Sequence, residues 1–241
     1  MALIGALLAT SLSYVIIFLE EYMKDYSGRQ IIGPVMVGPS SSHTAGAVRI
    51  AKCASKIAGD FERVEFYLHG SFAKTYKGHG TDKALLAGVM GFNPDSDEIK
   101  DAYEIAKKLN IEYEFKTIEL EDAHPNTVEI VFYKGCEFQT VTGSSLGGGT
   151  FVITNIDGID LHYNGDFPVL LLRYEERPGV IANVSKVLAG VKLNIETINT
   201  QKDRLTNLVT LTIEVDKNIP ADILKAIDEA DIFLTTRYVE V

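Results

Sequence analysis

Ser40-Ser41-Ser42-His43-Thr44 follows Gly38-Pro39 and leads directly into an apolar helical stripe. A helix N-terminus presents unpaired N–H groups and the positive end of the helix dipole, a setting that suits a carboxylate. Three serines and a threonine add hydroxyl donors, and a histidine in the same loop can carry a proton near neutral pH. The segment reads as a place where a small carboxylic acid is bound and a proton is moved. Its plainer alternative is a serine cap on the helix with an exposed histidine beside it. Three further segments can contribute. Gly70-Ser71-Phe72-Ala73-Lys74-Thr75 runs on to Gly78-His79-Gly80-Thr81-Asp82. Its glycines let a backbone approach a ligand, and Lys74 and His79 can contact an anion, although a flexible strand-to-helix connection has the same composition. His124-Pro125-Asn126 precedes a strand, where a lone histidine is usually a turn residue. Gly143-Ser144-Ser145-Leu146-Gly147-Gly148-Gly149 has the makeup of an anion-cradling nest, a weak signal by itself.

The elements that would position these residues follow from periodicity. Ile50, Ala51, Ala54, Ile57 and Ala58 share one helical face, and Cys53 follows that stripe as a buried structural thiol. Val64, Phe66 and Leu68 alternate, which predicts a strand, followed by a glycine-punctuated loop through GSFAKTYKGHG. Thr81 and Asp82 are good N-caps for the next helix. Ser96 is expected to cap another, with Asp97 and Glu98 in its first turn and Ile99, Ala102, Ala106 and Leu109 facing inward. Strands are predicted at 111–120, 127–133 and 137–142, then the second glycine loop, then strand FVITNI. The polar stretch Asp157–Asp166 is expected to be a domain boundary. Beyond it come strand VLLLRY, turn EERPG, a helix with Val180, Val184, Val187 and Leu188, strands LNIETINT and NLVTLTIEV, a helix opened by Pro220, and strand IFLTTRYVEV. That order is βαββαβ, the ferredoxin-like unit.

Bulk properties narrow the function classes. The chain has 241 residues and a formal net charge of -10, so it repels phosphate backbones and nucleic-acid binding is not expected. Two cysteines, Cys53 and Cys136, stand far apart, outside any metal-ligand spacing, so neither a disulfide framework nor a cluster site follows from them and the default setting is cytoplasmic. Residues 1–22 form an apolar leader. Its first nineteen residues carry no charge. That is borderline for a membrane helix, which needs about 20 apolar residues, and a signal peptide would need a basic start. A mis-assigned start, with translation beginning at Met23, is the plainer reading, and membrane association is not expected.

Taken together and in order, GPVMVGPSSSHTAGAVRIA, GSFAKTYKGHGTDKALLAG, HPNTVEI and GSSLGGGTF resemble the β domain of the bacterial iron–sulfur L-serine dehydratases. The tail, with EERPGVIANVSKVL and LNIETINT, resembles an ACT domain. The resemblance covers 23–241, with GPSSSHT as its most specific element. It implies an α+β fold: a substrate-binding domain of mixed sheet and helices over 23–160, then a βαββαβ ferredoxin-like ACT domain over 167–241. It also implies the activity, conversion of L-serine to pyruvate and ammonia with a [4Fe–4S] cluster. A cubane cluster takes several thiolates, so the cluster is expected on a separate, cysteine-bearing alpha subunit. By the same resemblance His43 transfers a proton or orients the substrate. Ser40, Ser41, Ser42 and Thr44 bind the serine carboxylate or hydroxyl, and His124, Asn126, Gly147, Gly148 and Gly149 form the wall. In the ACT module, Gly179 of one copy is expected to face Asn194 and Ile195 of a second copy, with a regulatory amino acid or ion between them and self-association as the consequence.

Two other readings compete. A pyridoxal-phosphate dehydratase would use Lys74 for a Schiff base and GSSLGGG for the phosphate, but the residues before the ACT-like tail make only about one domain. The first domain is also similar to the allosteric substrate-binding domain of some phosphoglycerate dehydrogenases. A serine sensor without chemistry is therefore the alternative.

Overall fold

A computed structural model describes residues 35–240; the apolar leader lies outside them. Among the described residues no helix is long and apolar enough to cross a membrane. A π-helical turn, Ser41–Gly46, runs without a break into α1 (Ala47–Ala58). Then come β1 (Arg63–Leu68), α2 (Gly70–His79), α3 (Thr81–Val89), a 3-10 turn (Asp97–Asp101) and α4 (Ala102–Lys108). Strands β2 (Glu112–Thr117), β3 (Thr127–Lys134), β4 (Glu137–Gly147), β5 (Thr150–Ile156) and β6 (Ile159–Tyr163) follow. These form a six-stranded sheet in the order β2-β1-β3-β4-β5-β6, with β1 and β2 parallel and the other pairs antiparallel.

The helical stripe read from the sequence packs on this sheet. Ile50, Ala51 and Ala54 are fully buried with Val64, Phe66 and Leu68 of β1 and Ile130 of β3. Cys53 is buried there too, and burial pushes its thiol up to about 12. On the opposite face Glu65 is 3% exposed. It accepts from the hydroxyls of Tyr67 and Tyr133 and pairs with Arg63 and Lys116, and the Tyr67 hydroxyl leads in holding its carboxyl below the usual carboxylate range.

The C-terminal unit has β7 (Val169–Glu175), α5 (Val180–Gly190), β8 (Ile195–Asp203), β9 (Leu208–Val215), α6 (Ala221–Asp228) and β10 (Thr235–Val239). Its four-stranded sheet has the order β10-β7-β9-β8, the βαββαβ arrangement expected. Leu170, Leu172, Leu211 and Ile213 pack under Val180, Val184 and Leu188. Alternate residues of β7 and β10 point the other way: Val169, Leu171 and Val239 belong to the core of the first sheet, and Arg237 pairs with Asp157 at 2.7 Å.

Several expectations are corrected. GSFAKTYKGHG is not a loop but helix α2, because Phe72 is fully buried and Ala73 and Tyr76 pack on the same core. Thr81 and Asp82 are not caps: α3 begins at Thr81 after a left-handed Gly80. Ser96 makes no side-chain cap, the first turn after it is 3-10, and Leu109 is 57% exposed. Val187, placed on the inner side of its helix, is 39% exposed. Most of GSSLGGG belongs to β4, paired with β3 and β5, rather than to a loop.

Candidate active site

The π-helical turn that opens α1 carries His43. Ser40 is its N-cap, with extended backbone, and its Oγ accepts the backbone N–H of His43 at 3.1 Å. The same oxygen lies 3.3 Å from His43 Nδ1, and Ser71 Oγ lies 3.0 Å from Nε2. The imidazole is thus held by a hydroxyl at each nitrogen. The Phe72 ring meets it edge-on with centroids 5.3 Å apart, and the His79 ring lies beside it at 4.8 Å. Burial, and then the neighbouring His79, hold the proton affinity of His43 below that of an ordinary imidazole. Both influences favour the neutral ring, the form that can accept a proton.

Each partner is placed by a different element. Ser71 is the second residue of α2, which follows β1 after His69 alone, and its backbone N–H donates to Pro125 O at 2.7 Å. Gly70 permits that approach: its φ is +56°, and a Cβ there would stand 2.6 Å from Pro125 O. Asn126 O in turn accepts from Ser145 N at 2.9 Å, and the Thr127 and Ser144 hydroxyls meet at 2.7 Å across β3 and β4. The His-Pro-Asn segment is a strut that joins the start of α2 to the end of β4. Gly46 brings the π turn against that strand, since a Cβ on it would lie 2.0 Å from Ser145 Oγ. Gly147, Gly148 and Gly149 all have positive φ, a run only glycine adopts freely, and Arg49 from α1 donates to Gly149 O at 2.9 Å.

Of the residues singled out in the sequence, Ser40, Ser41, Ser42 and His43 are half-buried in the turn. Ser42 Oγ faces the Gly147 position, 3.8 Å from where a Cβ would stand. Thr44 is 1% exposed and donates to His79 O, so it fixes His79 behind the turn. His124 is exposed, its Nδ1 accepting from Asn126 N at 3.1 Å. Lys74 is exposed on α2. Ser71 and Ser145 lie in segments named as possible contributors, but periodicity does not show that they meet the turn, because each reaches it from chain far away in sequence. Among the described residues, Ser145 Oγ, His79 Nδ1 and Thr81 Oγ1 are buried without a hydrogen-bond partner. In the C-terminal unit Gly179 caps α5 with φ +88°, and Glu176, Arg177, Thr200 and Lys202 flank it in a groove. Asn194 and Ile195 lie outside that groove, where Asn194 N donates to Asp216 and Ile195 pairs with Val215.

Replacing Gly70 with alanine is expected to cost at least about 1 kcal/mol from the left-handed backbone alone and to push Ser71 off His43. Urea denaturation and turnover should both register it. Unchanged values for both would show that the Pro125 contact does not position α2.

The donor set of this chain does not fit a [4Fe–4S] cluster. Cys53 is a buried, protonated thiol on α1 and Cys136 is exposed in the turn between β3 and β4. Among the described residues no three His, Cys, Asp or Glu side chains are grouped to hold a metal ion.

Comparison with known proteins places these features. The family model for the serine dehydratase beta chain matches residues 32–156, and the ACT domain model matches 169–231. The chain is 51% identical over 222 residues to the L-serine dehydratase beta chain of Peptoniphilus asaccharolyticus, covering 91% of this chain and 100% of that one. It is 41% identical to the probable L-serine dehydratase beta chain of Bacillus subtilis, covering 84% and 92%. A Streptomyces coelicolor protein named L-serine dehydratase is 28% identical over 59% of this chain, which spans only 36% of that protein.

Proposed function

From a chain that belongs to the serine dehydratase beta chain family and carries an ACT domain, we infer a cytoplasmic subunit that binds L-serine and moves a proton on it, inside a lyase completed by a second chain. The observation that carries this reading is the bracketing of His43 by hydroxyls from two separate elements. Loss of water from serine requires removal of the α-proton and departure of the β-hydroxyl, giving an enamine that tautomerises to an imine and takes up water to release pyruvate and ammonia. His43 serves the proton transfer. Ser40, Ser41 and Ser42, with Thr44 behind them, take the carboxylate or hydroxyl of the substrate at the N-terminus of the helix formed by the π turn and α1. His124, Asn126 and Gly147–Gly149 form the wall.

The cluster implied by the resemblance is assigned to the alpha subunit, since this chain lacks thiolates for it. The chain alone is expected to leave L-serine unchanged and to support turnover once the cysteine-bearing partner is added. Turnover by this chain by itself would end this proposal.

The ACT module is assigned self-association. Its edge strand β8 is exposed along nearly its whole length, with Ile198 44% exposed, and an open strand edge pairs readily with another chain. Gly179 of one copy, facing Asn194 and Ile195 of the next, would then hold a regulatory amino acid or ion. Sedimentation of the full chain is expected to give a dimer and Ile198→Glu a monomer. A wild-type chain that stays monomeric at every workable concentration would refute this assembly.

A further inference from the structure

We propose that Ser71 is a positioning residue for His43: with Ser40 on the opposite nitrogen, its hydroxyl fixes the orientation of the imidazole. This rests on the reading of His43 as the proton carrier. A neutral imidazole has one N–H and one lone pair, so the two hydroxyls must take opposite roles, one donating and one accepting. Ser40 alone cannot define the ring. It is three residues away on the same turn, it already accepts the His43 backbone N–H, and its 3.3 Å approach to Nδ1 is long. Ser71 comes from another element, 28 residues on, at the shorter distance of 3.0 Å.

The position of Ser71 is set independently of His43. Its backbone N–H is tied to Pro125 O at 2.7 Å, and Gly70 before it adopts the left-handed backbone that the close approach requires. Phe72 after it is fully buried and turns its ring onto the imidazole. Ser71 therefore supplies both the backbone anchor and the hydrogen bond to Nε2, and Phe72 adds a ring contact. Removing only the Ser71 hydroxyl leaves the anchor and the ring contact in place and releases Nε2.

The test is ¹⁵N NMR of the full chain with labelled histidine, His43 being assigned by loss of its signals in a His43→Gln variant. In Ser71→Ala the Nε2 shift is expected to move from its wild-type value as the hydrogen bond to it is lost, and in Ser71→Thr, which keeps the hydroxyl, it should stay there. With the partner subunit added, Ser71→Ala is expected to lower kcat by about 10²-fold, as a small misplacement of a catalytic group does, with KM little changed and Ser71→Thr close to wild type. Should the alanine variant not fold, Ser71→Cys, with a poor hydrogen-bonding group of similar size, takes its place. Ring shifts unchanged in the variant that lacks the hydroxyl would overturn the proposal whatever the activity. Full turnover by His43→Ala would instead remove the proton-carrier role and leave the NMR result to decide the role of Ser71.

Discussion

His43→Ala is expected to lower turnover of L-serine by the assembled enzyme by about 10²–10⁴-fold, the range a positioned acid–base group supplies. The fold should survive. The side chain is only half-buried, and the substitution removes contacts to two serine hydroxyls and the edge of Phe72 while Ala45, Ala47 and Val48 stay packed. A stability loss of about 1–2 kcal/mol is the scale for such contacts, readable as a small shift in urea midpoint. The pH profile of the unmodified enzyme carries the same information. Burial and His79 both disfavour the imidazolium, so the acidic limb of kcat/KM should fall below the ordinary imidazole value, because only the neutral ring accepts a proton. A limb at or above that value, or an alanine variant with near-normal turnover, would mean that His43 is not the group that moves the proton. Collapse of the fold in His43→Ala would make it structural.

The parts legible in the sequence were those governed by a local period. The stripe Ile50, Ala51, Ala54 packs where its spacing puts it, and the βαββαβ tail appears in the order read from its alternating strands. What the sequence misled on were glycines. In GSFAKTYKGHG they suggest a flexible loop, yet Gly70 is there for the close approach to Pro125, Gly80 for a left-handed helix end, and Phe72 holds the turns between them in the core. In GSSLGGG the first glycine sits under Ile50 and Ile153 inside β4, where a side chain would not fit. Leu109 and Val187 follow helical spacing but lie beyond the reach of the core that their neighbours bury against. At the site, Ser40–His43 could be picked out because the donors are crowded into one short segment. Ser71 lies in a segment named as a possible contributor, but its partnership with His43 could not be read, because it spans 28 residues and exists only once β1, α2 and the His-Pro-Asn strut are assembled.

The second large effect is all-or-none. Cys53 is a buried thiol with its proton held up to about 12, and Cys136 stands alone in an exposed turn, so this chain has no thiolate set for a cubane cluster. What it does offer is an imidazole, a cluster of hydroxyls and a helix N-terminus, the groups to which we assign the binding of an amino acid and the movement of its α-proton. Purified alone it is expected to be colourless and free of stoichiometric iron. The most direct measurement is anaerobic pyruvate release from L-serine by this chain, by the cysteine-bearing partner, and by the two mixed. Turnover is expected only in the mixture, with loss on exposure to oxygen. Oxygen-stable pyruvate release by this chain alone would contradict both the division of labour and the role assigned to its residues.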